Sequence, residues 1–160
     1  MLAKFQVGTG LDDYLTQIQN LEFTAPKALA YAVYAGAKVV ADEIRKDLEA
    51  LPTEEKFYNP KTALLPAEKQ GLLDALGISA QKNESGYVNS KIGEDGYNDD
   101  VTEKYPKGHP NAMIARALEH GTSFMLRNPV FTRATKRVKS EAEQAMADEI
   151  DKQINDTMKE

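Results

Sequence analysis

Apolar side chains recur at helical spacing through the first third of the chain. Leu29, Val33, Gly36, Val40, Ile44, Leu48 and Leu51 follow at intervals of four or three, which is one face of an α-helix. Thr24 is placed to cap its start, Pro26 falls in a first turn that needs no amide donor, and Pro52 ends the pattern. Ala28, Ala32, Ala35 and Val39 form a second, small face that lets another element approach closely. Both stripes read as core.

The following 52–70 stretch reads as irregular, because Pro52, Pro60 and Pro66 break helices and Asn59-Pro60 is a turn signal. Leu64 and Leu65 are placed to pin it to the body. After Gly71 the period changes. Leu76, Ile78 and Ala80 alternate with polar neighbours, as do Val88, Ser90 and Ile92. They predict two short strands joined by a hairpin turn at Asn83-Glu84-Ser85-Gly86, with one sheet face covered by the long helix. Residues 93–110 are poor in apolar side chains and predict a long, mobile surface loop. Asn111 to His120 reads as a short helix with Ile114, Ala117 and Leu118 inward and Gly121 as a left-handed C-cap. Asn128-Pro129 opens a last helix with the stripe Phe131, Ala134, Val138, Ala142, Ala145, Met146, Ile150 and Ile154, fraying at its end. The expectation is one α+β domain over 1–160. A small, mostly antiparallel sheet packs with long helices near 24–50 and 129–155, and irregular loops occupy 52–70 and 93–110.

Composition narrows the class. A chain of 160 residues, 41% hydrophobic and 28% charged, suits a single soluble globular domain. With no cysteine, disulfides, thiolate nucleophiles and sulfur-ligated zinc are excluded, which fits a reducing cytoplasm. Met1–Gln6 is not followed by an apolar signal core, and no stretch reaches the roughly 20 apolar residues of a membrane span. Neither export by that route nor a place in a bilayer is expected. The net charge of −5 does not attract nucleic acid or anionic membrane.

The sequence carries no convergent set of reaction groups. His109 and His120 lack metal-ligand spacing, and Ser123 lacks the glycine elbow of a hydrolase nucleophile. Gly8-Thr9-Gly10 lacks the third glycine of a dinucleotide fingerprint, and no phosphate loop is present. Asp95-Gly96 puts its glycine too early for a calcium loop. No catalytic, cofactor-binding or metal-binding residue is therefore expected, and the chain reads as a non-enzyme.

Charge gives the clearest feature. Arg127, Arg133, Lys136, Arg137 and Lys139 occur with no acid among them, and Arg133, Lys136 and Arg137 share one helical face. Cations at a helix start oppose the dipole at a few tenths of a kcal/mol each, about what pairs such as Arg137 with Glu141 and Lys139 with Glu143 would return. Either those pairs suffice or an acidic partner docks there. The acidic 94–103 loop of a neighbouring copy, with Glu94, Asp95, Asp99 and Asp100, is the candidate within this sequence. A nucleic-acid-binding accessory protein using 127–139 is the alternative reading, with net acidity and missing aromatic interleaving against it.

One stretch bears on identity. Ala115-Arg116-Ala117-Leu118-Glu119-His120-Gly121-Thr122-Ser123, then Asn128-Pro129-Val130-Phe131-Thr132-Arg133-Ala134, resembles the tail-completion, or head–tail joining, proteins of long-tailed bacteriophages and prophages. That family shows a helix ending in Glu-aromatic-Gly-Thr, a short loop, then Pro-Phe-x-x-Pro/Ala opening a C-terminal helix. Here His120 replaces the aromatic and Val130 separates Pro129 from Phe131. Gly10-Leu11 ahead of an alanine-rich helix, and Gly71-Leu72-Leu73 ahead of strands, match the upstream order. The motif residues Glu119, Gly121, Thr122, Pro129 and Phe131 have folding roles, with Glu119 expected to accept from Thr122 or from the turn backbone. The resemblance implies a structural part of the virion neck, made in the bacterial cytoplasm. It would be monomeric alone, assemble as a ring of six copies, and contact the head connector and tail-tube proteins. No membrane is implied, and nucleic acid is not the expected partner.

Overall fold

The computed structural model describes residues 11–55, 63–85 and 87–159, with side chains in the first helix at Glu22 and from Thr24 onward. The Gly8-Thr9-Gly10 segment, the Asn59-Pro60 turn and Gly86 lie outside the described residues. The elements are α1 (Leu11–Ala50), α2 (Pro66–Ala75), β1 (Leu76–Ile78), β2 (Lys82–Glu84), β3 (Tyr87–Asn89), β4 (Ile92–Glu94), α3 (Asn111–His120), α4 (Val130–Arg137) and α5 (Lys139–Lys159). The α+β class is as the periodicities predict.

Helix α1 begins well before the expected Thr24 cap, and Pro26 sits inside it. A proline there removes one bond to the carbonyl four residues back. Glu22 and Pro26 are both exposed, so water can serve that carbonyl. Helix α5 runs antiparallel along α1. Ala28 and Ala32 are buried, and a Cβ on Gly36 would stand 2.6 Å from Met146 Cγ, so α5 packs directly onto the α1 backbone. The small-residue face therefore receives a helix. Of the larger stripe, Ile44 and Leu48 are core, whereas Leu29 is 42% exposed. Arg137, the last residue of α4, ties that helix to α1, with Nε 2.8 Å from Glu43 and Nη2 2.7 Å from Asp47.

The loop expected at 52–70 ends early. Pro66 opens α2, and the Glu68 carboxylate accepts from the Leu65 amide at 2.9 Å. Leu64 is fully buried, and Glu54 N–H bonds its carbonyl at 2.9 Å. The hairpin comprises two short antiparallel ladders. β1 pairs with β4 and β2 with β3. Between them Ser79 and Ser90 take over the bonding: Lys91 N–H donates to Ser79 Oγ at 2.8 Å, and Ser90 Oγ donates to Ser79 O at 2.7 Å. Leu76 faces the core opposite Glu94, while Gly77 and Gly93 form the exposed face, so the sheet is covered on one side.

Residues 95–110 are not the loose loop expected. Asn98 is buried, and its Oδ1 accepts from the amides of Asp100 and His109, both at 3.0 Å. Asn111 Nδ2 donates to Asp95 O at 2.8 Å, and Tyr97 bridges Pro110. A Cβ at Gly108, where φ is +92°, would overlap the Asn98 carbonyl, so glycine is required there. Polar side chains thus replace apolar burial in fastening this segment.

The expected last helix is two helices meeting at Val138, and α5 stays helical to Lys159. The main core joins Ile44, Leu48, Leu64, Leu72, Leu76, Ile114, Leu118, Met125, Val130 and Ala134, drawn from α1, α2, β1, α3, α4 and the segments beside them. Val130 is fully buried and Phe131 only partly.

Candidate interaction surface

The segment between α3 and α4 is a closed polar corner. Gly121 has φ 77° and ψ 159°, an extended conformation almost confined to glycine, where a left-handed cap was expected. Its missing Cβ also makes room for Arg127, whose backbone N would lie 3.2 Å away. Glu119 then reaches across to α4. Its carboxylate accepts from the amides of Phe131 at 3.0 Å and Thr132 at 3.1 Å, and from the Thr132 hydroxyl. Those amides are donors without partners at a helix start, and a carboxylate there also answers the dipole. Pro129 stands at the N-cap position without a side-chain cap, so Glu119 supplies from α3 what the local sequence lacks. Thr122 does not pair with Glu119; its Oγ accepts from the amides of Phe124 and Met125, both at 3.1 Å. Asn128 N–H closes the corner on Leu118 O at 2.7 Å.

This corner holds Phe124 and Leu126 outward, 58% and 53% exposed, while Met125 between them is buried. Beside it lies a cleft of about 340 Å³ whose walls include Leu65, Tyr105, His109, Met113 and Phe124. His109 Nδ1 is 3.0 Å from Asp100 Oδ2, and the Tyr105 and His109 rings are 4.4 Å apart. The sequence signal for this surface is the apolar run Phe124-Met125-Leu126, set in a segment with no helical or strand period. His109 and Asp100 are nine residues apart, and only the Asn98 turn brings them together.

The charged residues divide. Arg137 is bonded to Glu43 and Asp47, which raise its pKa, with Asp47 contributing most. It is therefore not a free interaction cation, and its partners are on α1, not Glu141. Lys139 pairs with Glu143 at 3.9 Å as expected. Arg127 donates from Nε to Glu119 O at 3.2 Å, and Arg133 to Asn128 Oδ1 at 2.8 Å; both bonds leave their charge uncompensated. Lys136 meets no carboxylate among the described residues. The acidic set does not form one face either. Glu94 is in β4 with both oxygens buried and without a hydrogen-bond donor, and burial pushes its pKa up to about 7, with Arg45 opposing and Asp95 adding to the rise. Asp100 Oδ2 lies 3.0 Å from His109 Nδ1 without a hydrogen bond between them, while Asp95, Asp99 and Glu103 are exposed.

Among the described residues no group of three or more acids or histidines could hold a metal, and no helix is long and apolar enough to cross a membrane. No family model matches the chain, and no curated protein or solved structure matches it.

Proposed function

We propose that the chain is a structural, non-catalytic subunit of the head–tail junction of a long-tailed bacteriophage or prophage. It completes the tail and joins it to the head connector as a ring of copies, six in the particle. One observation carries this reading: the 119–131 corner is locked by Glu119 and Thr122, yet it presents Phe124 and Leu126 to water. Large apolar side chains fixed outward, next to an apolar cleft, are the usual mark of a surface that another protein covers. The residues that resemble the family motif, Glu119, Gly121, Thr122, Pro129 and Phe131, all belong to this corner, where they fix its shape. On this reading the protein is made in the host cytoplasm and ends in the virion neck, and the paired helices α1 and α5 brace the interaction end.

The double substitution Phe124→Ser with Leu126→Ser tests the proposal. Both side chains are exposed, so stability should shift by less than about 1 kcal/mol. Joined particles should be lost, leaving heads and tails apart. Normal joining by a folded double variant would remove the corner from the interface.

A further inference from the structure

The basic corner and the acidic loop are built alike. From Gly121 to Ser140 the chain contains five cations and no acid. Two of them are paired inside the molecule, Arg137 with Glu43 and Asp47, and Lys139 with Glu143. Arg127, Arg133 and Lys136 keep uncompensated charge beside the exposed Phe124 and Leu126. From Glu94 to Glu103 the chain contains five acids and no cation. Glu94 buries both carboxylate oxygens, and Asp100 lies against His109. Asp95, Asp99 and Glu103 are exposed and meet no cation among the described residues. They stand beside Tyr97 and Val101, which are 57% and 62% exposed. Lys104 follows them, with its Nζ 5.4 Å from the centre of the Tyr105 ring. Asn98 and Asn111 fasten this loop as Glu119 and Thr122 fasten the corner.

We propose that the two patches meet on neighbouring copies, the basic corner of one copy covering the 95–103 loop of the next. Three free cations then face three free carboxylates, and two exposed apolar side chains face two. One contact covers both patches, and the chain itself supplies both halves. The acids of α5 are the poorer match. Asp148 accepts from Gln144, Glu149 accepts from Gln153, and Glu143 meets Lys139. Asp151 and Asp156 remain, with Lys152 between them, beside the single exposed large apolar side chain of α5, Ile154. Glu141 stands about 20 Å down the helix from Ile154. A contact between two unlike patches passes from copy to copy, as a ring requires. Both patches are fixed before they meet, so little ordering entropy opposes docking. The charges set register and encounter rate, and the apolar side chains supply the contact area. The inference rests on the reading of the corner as the docking surface of a ring component and names its occupant.

The chain has no cysteine, so introduced ones report this contact alone. A disulfide forms only where two Cα atoms come within about 7 Å, and it traps a contact that is weak between free copies. Full-length Leu126→Cys and Val101→Cys chains, mixed at about millimolar concentration and oxidised, should form a linked dimer about tenfold faster than either chain alone. They should also outpace Leu126→Cys mixed with Asp156→Cys, which probes α5. The replaced side chains are exposed, and Phe124→Cys with Tyr97→Cys serves as a second pair. Arg133→Glu with Lys136→Glu on the Leu126→Cys chain should slow linking about tenfold. Asp99→Lys with Glu103→Lys on the Val101→Cys chain should restore it. The inference is overturned if neither mixed pair links faster than its single chains, which is what a foreign acidic protein or a nucleic acid as occupant would give. It is equally overturned if Asp156→Cys links as fast as Val101→Cys, or if charge reversal leaves the rate unchanged. The two claims fail separately. If the copies do not link but loss of the chain still separates heads from tails, only the occupant is wrong. If they link as stated but loss of the chain leaves joining intact, the contact between copies stands without the junction.

Discussion

Glu119 is the residue on which the corner depends, because one carboxylate serves two helix-start amides and a hydroxyl. Glu119→Ala should cost about 1–2 kcal/mol, as loss of a helix cap does, readable in chemical denaturation. Glu119→Gln, which keeps an acceptor, should cost less. Gly121→Ala should cost more than about 1 kcal/mol, since its backbone conformation is nearly closed to other residues and its Cβ would press on Arg127. Glu94 gives a pH signature. Its folded pKa, near 7, lies above the ordinary carboxylate value, so the folded state binds the proton more tightly. Stability should therefore fall as pH rises from about 4.5 to 7 and level off above. Discounted for partial exposure, the loss is about 1–2 kcal/mol. Glu94→Gln should flatten that slope in melting curves recorded across this range; an unchanged slope would place the titration elsewhere.

The elements show which signals in the sequence were readable. Helix α3 matches its expected bounds because its apolar period and its final glycine agree. The early start of α1 was masked by Thr24 and Pro26, which look like a start signal, although Leu11, Leu15 and Ile18 already carry helical spacing. The α1–α5 contact was half legible. The alanine face announced a close neighbour, but the separate tie from α4 to α1, Arg137 reaching Glu43 and Asp47, spans about ninety residues of chain and has no local signal. Gly36→Leu should push α5 off α1 and cost roughly 2 kcal/mol or more, by overpacking. The loop expected over 93–110 is irregular from residue 95 onward, and Asn98 and Asn111 fasten it through side-chain bonds that low apolar content does not announce. The amides of Asn98 and His109 should accordingly be protected from hydrogen exchange in the isolated protein, and exchange at free-peptide rates would restore the mobile-loop view. The interaction corner had a sequence signal in its apolar run and its motif, but the cross-corner bond from Glu119 to α4 did not.

At the scale of the molecule, both ends leave large apolar side chains in water: Leu29, Tyr31, Tyr34 and Ile154 along α1 and α5, and Phe124 and Leu126 at the α3–α4 corner. The α1–α5 pair is bound by small-residue packing, and Arg137 at the end of α4 ties that helix to α1. The α3–α4 corner is rigid but uncovered, with apolar and basic groups facing water. Such a part is expected to be monomeric when pure and to associate only where its partners are assembled, since surface ion pairs alone give about 1 kcal/mol or less each. The measurement that tests the proposed junction role most directly deletes this chain from its source genome, induces any phage or prophage that genome carries, and views the lysates by electron microscopy. The account predicts filled heads and separate tails, with joined particles restored by supplying the intact chain. Joined, infectious particles at undiminished yield in the deletion would contradict it.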